Sequence, residues 1–360
     1  MNNHSIAIRI NGQAFTEEEL ISLISTKLSL SHLPEWENEL FRFLEEWFSS
    51  GETIQAQTSG STGEPQIIRL PKTIMLQSAR RTIEYFGLQA GNRLLLCLPC
   101  RYIAGKMMVV RAILGKMDLI AVDPSSDFIF LSNELFDFGA MVPNQLFKLL
   151  ESPLGKEKVE NICHLLVGGS SISSTLEAQI GQLYNHVVST YGMTETASHI
   201  AIRELSGEKH SDIYNCLHGI TVTTDENDCL KIHVPESVQP LQTNDVAEII
   251  SPHSFRILGR TDDVIISGGI KYWPDTIEKK LEHMIPNRFV ISSFPDEKLG
   301  KKLVLVIEGE PASTDSLQDE LKTHLLPYEQ PKSIFFLDHF PETPNGKVKR
   351  NEIKEAIRRF

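Results

Sequence analysis

Thr58-Ser59-Gly60-Ser61-Thr62-Gly63-Glu64-Pro65-Gln66 sets two glycines among four hydroxyl side chains within its first six positions. A buried helix or strand has no use for that mixture. Glycine permits tight turns and close backbone approach, and hydroxyls rotate to suit an acceptor or donor. Successive turn amides of this kind form a concavity for anions. The stretch therefore reads as a phosphate-gripping loop, or equally as a solvated Ser/Gly linker. It is not the common nucleoside-triphosphate loop, which needs Gly-Lys followed by Ser or Thr. The Gly-Lys pairs here are followed by Met107, Met117, Glu157, Lys302 and Val348. A dinucleotide-type glycine fingerprint is also missing.

Outward from the loop, residues 67–70 read as a strand and 72–86 as a helix. Strands over 94–98, 119–122, 162–167 and 186–189 then alternate with helices over 102–114, 144–150 and 173–183. That alternation predicts a largely parallel sheet, whose ligands sit at the carboxyl ends of its strands. Upstream, a strand over 6–10 and a turn at Asn11-Gly12 precede a helix through Leu28, opened by the capping box Thr16/Glu19. Pro34 opens another helix, with Trp36, Leu40, Phe43, Leu44, Trp47 and Phe48 on one face and Gly51 as its stop. Beyond about Gly207, short strands recur over 221–224, 230–234, 247–250 and 255–258. After Arg260 the order reads strand, helix, strand, strand, helix, strand, helix. The fold class is α/β: a large N-terminal domain (1–259) of mostly parallel sheets and helices with a small β-subdomain, then a hinge (260–263), then a small mobile α+β C-terminal domain (264–360).

Composition bounds the rest. The chain has 360 residues, 41% of them hydrophobic and 23% charged, as in globular proteins. A net charge of -12 argues against broad nucleic-acid or anionic-membrane binding. No apolar run approaches a membrane span, no signal-peptide pattern opens the chain, and five irregularly spaced cysteines suit a reducing cytosol. A cytoplasmic location is expected, and the oligomeric state is open to a homo-oligomer. Cys97-Leu98-Pro99-Cys100 has redox-dithiol spacing but closes an apolar run, so two ordinary buried thiols are the expectation.

Four further blocks carry chemistry. In Tyr191-Gly192-Met193-Thr194-Glu195-Thr196, after a strand, the ring offers a purine face and the carboxylate a seat for a hard cation. A helix-capping Thr/Glu pair is the alternative. Asn244-Asp245, ahead of an apolar strand, offers a carboxylate to a ribose diol, or simply a strand-initiating turn. Gly259-Arg260-Thr261-Asp262-Asp263 and Ser267-Gly268-Gly269 flank a strand at the domain boundary, where a hinge belongs. Pro344-Asn345-Gly346 is a turn presenting Lys347, a solvated charge or a group that neutralises oxyanions.

In their order and joint presence, from about Gln57 to the C-terminus, these blocks resemble the acyl-adenylate-forming superfamily: acyl-CoA synthetases, peptide-synthetase adenylation domains and beetle luciferases. The resemblance implies an enzyme that makes an acyl-AMP from a carboxylic acid and MgATP, then transfers the acyl group to coenzyme A. It implies that Thr58, Ser59, Gly60, Ser61, Thr62 and Gly63 hold the β- and γ-phosphates. Gly168, Gly169 and Ser170 would line the purine edge, and Tyr191 and Gly192 its face. Thr194 would meet the α-phosphate, Glu195 would ligate Mg²⁺, and Asp245 and Arg260 would hold the ribose. Lys347 would bridge carboxylate and α-phosphate. Asp262 would be the pivot that brings Ser267, Gly268 and Gly269 to the coenzyme A side.

The chain departs from the family's pattern in two places. Gln66 stands where the loop commonly carries Lys, leaving Arg69 or Lys72 to supply the charge, and the N-terminal part is short. The run Leu98-Pro99-Cys100-Arg101-Tyr102-Ile103-Ala104-Gly105, continued to Arg111, resembles the acyl-pocket segment of o-succinylbenzoate–CoA ligases of menaquinone synthesis. Arg111 would then bind the aromatic carboxylate, Gly105 would leave room for the ring, Tyr102 would line it, and Ser198 would be a further contact. A helix-surface cation is the alternative for Arg111. Another acyl- or aryl-CoA ligase, or a non-catalytic nucleotide-binding module, are the competing functions.

Overall fold

The computed structural model describes residues 6–57, 66–124, 134–310, 315–342 and 348–359. The hydroxyl-rich loop and Lys347 therefore lie outside the described residues. The elements run β1 (Ile6–Ile10), β2 (Gln13–Thr16), α1 (Glu17–Leu28), α2 (Glu35–Phe48), β3 (Thr53–Gln57), β4 (Ile67–Pro71), α3 (Lys72–Phe86), β5 (Arg93–Leu96), α4 (Ile103–Gly115), β6 (Asp118–Ala121), β7 (Phe136–Met141), α5 (Pro143–Leu150), α6 (Pro153–Glu160), β8 (Ile162–Val167), α7 (Ser174–Ile180), β9 (His186–Gly192), β10 (His199–Glu204) and β11 (Tyr214–Cys216). They continue as β12 (Thr221–Thr224), β13 (Cys229–His233), β14 (Leu241–Ser251), β15 (Ser254–Arg260), β16 (Ile265–Ser267), β17 (Ile270–Tyr272), α8 (Pro274–Leu281), β18 (Phe289–Asp296), β19 (Gly300–Glu308), α9 (Asp315–His324), β20 (Ile334–Leu337) and α10 (Arg350–Ile357).

The chain packs as two compact units. The first takes residues up to 171, with 179–221 and 233–241; the second takes 172–178, 222–232 and 242 onward.

In the first unit the sheet runs β11-β10-β9-β8-β7-β5-β6-β1-β2. From β1 through β9 its neighbours are parallel, and β2, β10 and β11 pair antiparallel at the two sides. The capping box forms as read: Glu19 N donates to Thr16 Oγ1 at 3.3 Å and Thr16 N to Glu19 Oε2 at 2.8 Å. Helix α2 buries Leu40, Phe41, Phe43, Leu44 and Trp47; it ends at Phe48 because Ser49 turns extended, two residues before the expected Gly51. Helix α4 is different in kind. Residues 105–112 are all buried, so it is an internal helix and not an amphipathic one. Gly105 sits on it because a Cβ would meet Pro99 O at 2.4 Å. The glycine is needed for the helix to pass the backbone of Pro99, a reason independent of any ligand. Cys97 and Cys100 are buried free thiols. Strand β3, which the sequence did not announce, pairs antiparallel with β4 from Gln57↔Ile67 to Thr53↔Pro71.

In the second unit β12-β13-β14-β15 follow one another in a sheet. Gly268 (φ +58°) and Gly269 (φ +85°) make the two-residue turn of the hairpin β16–β17, a conformation that favours glycine at both positions. Strand β19 pairs antiparallel with β18 and parallel with β20. Ile277, Leu281, Leu321 and Leu325 pack in one apolar cluster on this small sheet, and Phe340, Ile353 and Ile357 in another. Each such side chain contributes roughly 1.5–3 kcal/mol by leaving water. Arg350 ties α10 to α8, its Nη2 reaching Asp275 Oδ1 and Glu278 Oε2 at 2.7 Å each.

Candidate active site

Two of the expected segments share one edge of the first unit's sheet. Strands β8 and β9 are parallel neighbours with Val167 opposite Ser189, so Gly168-Gly169-Ser170, just past β8, follow on beside the last residues of β9, Tyr191-Gly192, at the sheet's carboxyl ends. Gly192 is dictated by backbone crowding, whereas at Gly168 a Cβ would displace one side-chain hydroxyl. A Cβ on Gly168 would meet Thr190 Oγ1 at 2.1 Å, and one on Gly192 would meet Ser198 O at 2.4 Å. Gly169 has φ +91°, a further reason for glycine there. A cavity of about 540 Å³ lined by Tyr85, His186, Glu204 and Lys209 lies elsewhere: His186 opens β9, at the amino end of the strand.

After Gly192 the chain makes a single 3₁₀ turn over Thr194–Thr196. The residue that holds this turn is Thr196, not Thr194. Met193 N donates to Thr196 Oγ1 at 3.0 Å, and that hydroxyl faces Met193 O at 2.9 Å and Ser198 O at 2.6 Å. Ala197 closes the turn in the left-handed region at φ 61°. Thr194 and Glu195 are thereby released from capping work. Among the described residues neither side chain has a hydrogen-bond or ion-pair partner. Glu195 is half-buried, and no group of three His, Cys, Asp or Glu side chains among the described residues gathers into a metal cage. One free carboxylate is what magnesium takes from a protein when substrate oxygens and water complete its shell.

Arg111 is inside the protein, 2% exposed, and not on a helix surface. Its Nη2 donates to Ser198 Oγ at 2.7 Å, Nη1 points to Met108 Sδ at 3.6 Å, and the guanidinium lies 5.9 Å from the centre of the Phe138 ring. Its Nε has no partner, and no carboxylate among the described residues approaches it. Burial alone pulls its pKa down, to about 9. Next to it, Ser198 Oγ lies 3.1 Å from Nδ1 of the buried His199, whose Nε2 lies 3.3 Å from Thr82 Oγ1. Burial first, and the Arg111 charge second, hold His199 well below the ordinary imidazole range. His199 and Thr82 were not singled out in the sequence, where nothing relates residues 82, 111 and 199. Tyr102 is half-buried and sets the start of α4, with the Arg101 guanidinium 5.1 Å from its ring centre. Lys72 is not available to replace the loop lysine: its ammonium donates to Trp47 O at 2.6 Å and Ser49 O at 2.9 Å. Arg69 is exposed on β4.

The second unit carries its own cluster. Asn244 and Asp245 lie within β14, and not ahead of it as the sequence suggested; the polar alternation of Gln242-Thr243-Asn244 hides a strand. Asp245 pairs directly with Arg260 across the β14–β15 ladder. Arg260 Nη1 donates to Asp245 Oδ1 at 2.7 Å and Nη2 to Asp262 Oδ2 at 3.0 Å; Asn244 Nδ2 reaches the same Asp262 oxygen at 3.2 Å. Thus Asp245, Arg260 and Asp262, separate motifs in the sequence, form one hydrogen-bonded group. Ser267 is buried at the base of the Gly268-Gly269 turn, and Gly268 N donates to Leu299 O at 3.1 Å.

Known proteins share the family and the fold. The family of AMP-binding enzymes matches residues 56–236. An acyl-CoA synthetase (AMP-forming)/AMP-acid ligase II-like protein from Dyadobacter fermentans is 35% identical, with 93% of this chain and 98% of that one aligned and a TM-score of 0.62. A 2-succinylbenzoate–CoA ligase from Lactococcus lactis is 24% identical over 82% of this chain and 69% of its own length. The o-succinylbenzoate CoA synthetase of Bacillus subtilis, solved with its acyl-adenylate intermediate, shares the fold at a TM-score of 0.75 and 19% identity, over 98% of this chain and 96% of that one.

Proposed function

This chain belongs to the AMP-binding enzyme family, and on that premise we propose that it is an AMP-forming acid–thiol ligase that adenylates 2-succinylbenzoate and passes the acyl group to coenzyme A. One observation carries the choice of acid: Arg111 is a buried cation with a free Nε and no carboxylate partner among the described residues. A buried charge without a counter-ion is costly unless a ligand supplies one. A substrate with a second carboxylate, beyond the one that reacts, supplies it through a charge-assisted hydrogen bond. The names of the relatives point to the same acid.

The chemistry divides among the chain's own residues. Tyr191, at the carboxyl end of β9 beside Gly168 and Gly169, offers its ring to adenine, and Gly192 lets the backbone come close. The Thr194 hydroxyl is free to meet the α-phosphate. Glu195 is free to hold magnesium, which when bound offsets the polyphosphate charge. Asp245, already fixed by Arg260, presents a carboxylate for the ribose hydroxyls. Lys347 neutralises the approach of the substrate carboxylate to the α-phosphorus, where a carboxylate oxygen bonds as pyrophosphate leaves. In the second half-reaction the thiol sulfur of coenzyme A bonds to the acyl carbon, its proton is lost, and AMP leaves. Residues 260–263, with Asp262 as pivot, would let 264–360 turn between the two steps and bring Ser267-Gly268-Gly269 to the thiol.

The test is pyrophosphate release across a panel of carboxylic acids, followed by thioester formation with coenzyme A. The expected result is strong turnover with 2-succinylbenzoate and weak turnover with acids lacking the second carboxylate. Equal rates for mono- and dicarboxylic acids would overturn the choice of acid. ATP binding without adenylate from any acid would overturn the enzyme itself.

A further inference from the structure

The hydrogen bonds around Arg111 form one chain whose first link has a fixed direction. A guanidinium donates and never accepts, so Ser198 Oγ accepts from Arg111 Nη2 at 2.7 Å. The Ser198 proton must then point elsewhere, and the acceptor within reach is His199 Nδ1 at 3.1 Å. In that arrangement His199 carries its proton on Nε2, which donates to Thr82 Oγ1 at 3.3 Å. The Thr82 proton goes to Ser78 O at 3.2 Å, one turn back on α3. Reversing the direction leaves the Ser198 proton without an acceptor among the described residues and turns the Thr82 hydroxyl away from Ser78 O. A neutral, Nε2-protonated His199 gives the hydroxyls of Ser198 and Thr82 and both ring nitrogens a partner.

From this we propose that His199 and Thr82 are positioning residues for recognition of the acid's second carboxylate. They tether the Ser198 hydroxyl through its second hydrogen bond, so that its oxygen stays in place as the acceptor for Arg111 Nη2. The guanidinium is then held in one orientation before the ligand arrives, which lowers the ordering cost of a bidentate contact. The inference rests on the proposed substrate and adds residues to its recognition, none of which touches the ligand.

Three substitutions test it. His199→Phe keeps the ring's shape and removes both nitrogens. His199→Asn keeps an acceptor close to Nδ1. Thr82→Val removes the anchor for Nε2. Each is assayed with 2-succinylbenzoate and with 3-benzoylpropanoate, the same acid without its aromatic carboxylate. The expected result is that His199→Phe raises KM for 2-succinylbenzoate roughly 5- to 20-fold, the size of one lost hydrogen bond near a charge. Its kcat, and its KM for 3-benzoylpropanoate, should stay near wild type. His199→Asn should restore most of the loss, and Thr82→Val should show a smaller loss of the same kind. An unchanged KM ratio between the two acids in a folded His199→Phe or Thr82→Val, in an enzyme that prefers 2-succinylbenzoate, would overturn the positioning role and leave the function standing. A wild type with no preference for 2-succinylbenzoate would overturn both.

Discussion

Arg350 and Arg111 are both largely removed from water, and their surroundings are opposite. In the second unit Arg350 meets Glu278 Oε1 and Oε2 and Asp275 Oδ1, all at 2.7 Å. Burial works against its charge, but the two carboxylates prevail and its pKa rises. In the first unit Arg111 meets a hydroxyl, a thioether sulfur and an aromatic ring, and burial alone pulls it down. A cation that the chain neutralises itself is part of the scaffold. On the proposed function, a cation that the chain buries and leaves unneutralised is the one that takes an anion from outside. The two arginines therefore separate what holds the molecule together from what it binds.

The largest effect expected from this contrast falls on stability in the second unit. Arg350→Met leaves Glu278 and Asp275 without their partner, and losing one side of a buried pair typically costs about 3–5 kcal/mol. Denaturant unfolding should show that loss, with hydrogen exchange accelerated across α8 and α10. Glu278→Gln combined with Arg350→Met should recover part of it, since no charge is then stranded. A loss below about 1 kcal/mol, the range of an exposed pair, would remove the scaffold half of the contrast.

Arg111→Met should behave in the reverse way. Turnover of 2-succinylbenzoate should fall by about 10²-fold in kcat/KM, the scale of one lost buried charge-assisted contact. Folding stability of the free protein should hold or rise by about 1 kcal/mol, because an unpaired charge is exchanged for an apolar side chain of similar length. A clear drop in stability would make Arg111 a scaffold residue like Arg350. This pair of measurements sharpens the contrast most, because function and stability should move in opposite directions at a single site.

Neither arginine's role could be read from the sequence alone. Arg350 finds its partners 72 and 75 residues away, and no local pattern relates them. Arg111 reads as a surface cation or a ligand contact until α4 is seen to be buried on every side. The parallel strands, the capping box and the position of Gly168-Gly169 after β8 were legible, because hydrophobic runs and turn residues report on neighbours a few positions away. The strand containing Asp245 was not, because Asn-Asp reads as a turn and only cross-strand pairing with Arg260 shows the extended backbone. Strand β7, with aspartate and glycine inside Phe136–Met141, failed for the same reason. Thr196 escaped because its work is a turn closed by a left-handed Ala197, a conformation that an alanine does not advertise.

The smallest effect expected couples Arg111 to acid stability. His199 titrates well below its ordinary 6.5 in the folded protein, chiefly through burial and secondarily through Arg111. In the unfolded chain it takes up a proton near pH 6.5 while the folded chain does not. The unfolded state then binds more protons, so stability falls as pH drops below about 6.5, by at most ~1.36 kcal/mol per pH unit for this one group. His199→Asn should flatten that slope. Arg111→Met should flatten it only slightly, since the larger cause is burial and remains in place. Unfolding free energies of the three proteins between pH 7.5 and pH 5.5 decide the matter. If Arg111→Met removed the slope as fully as His199→Asn, the charge and not the burial would hold His199 neutral. A bound carboxylate that neutralised Arg111 would then let His199 take up a proton, and the hydrogen bond between Ser198 and His199 would reverse its direction.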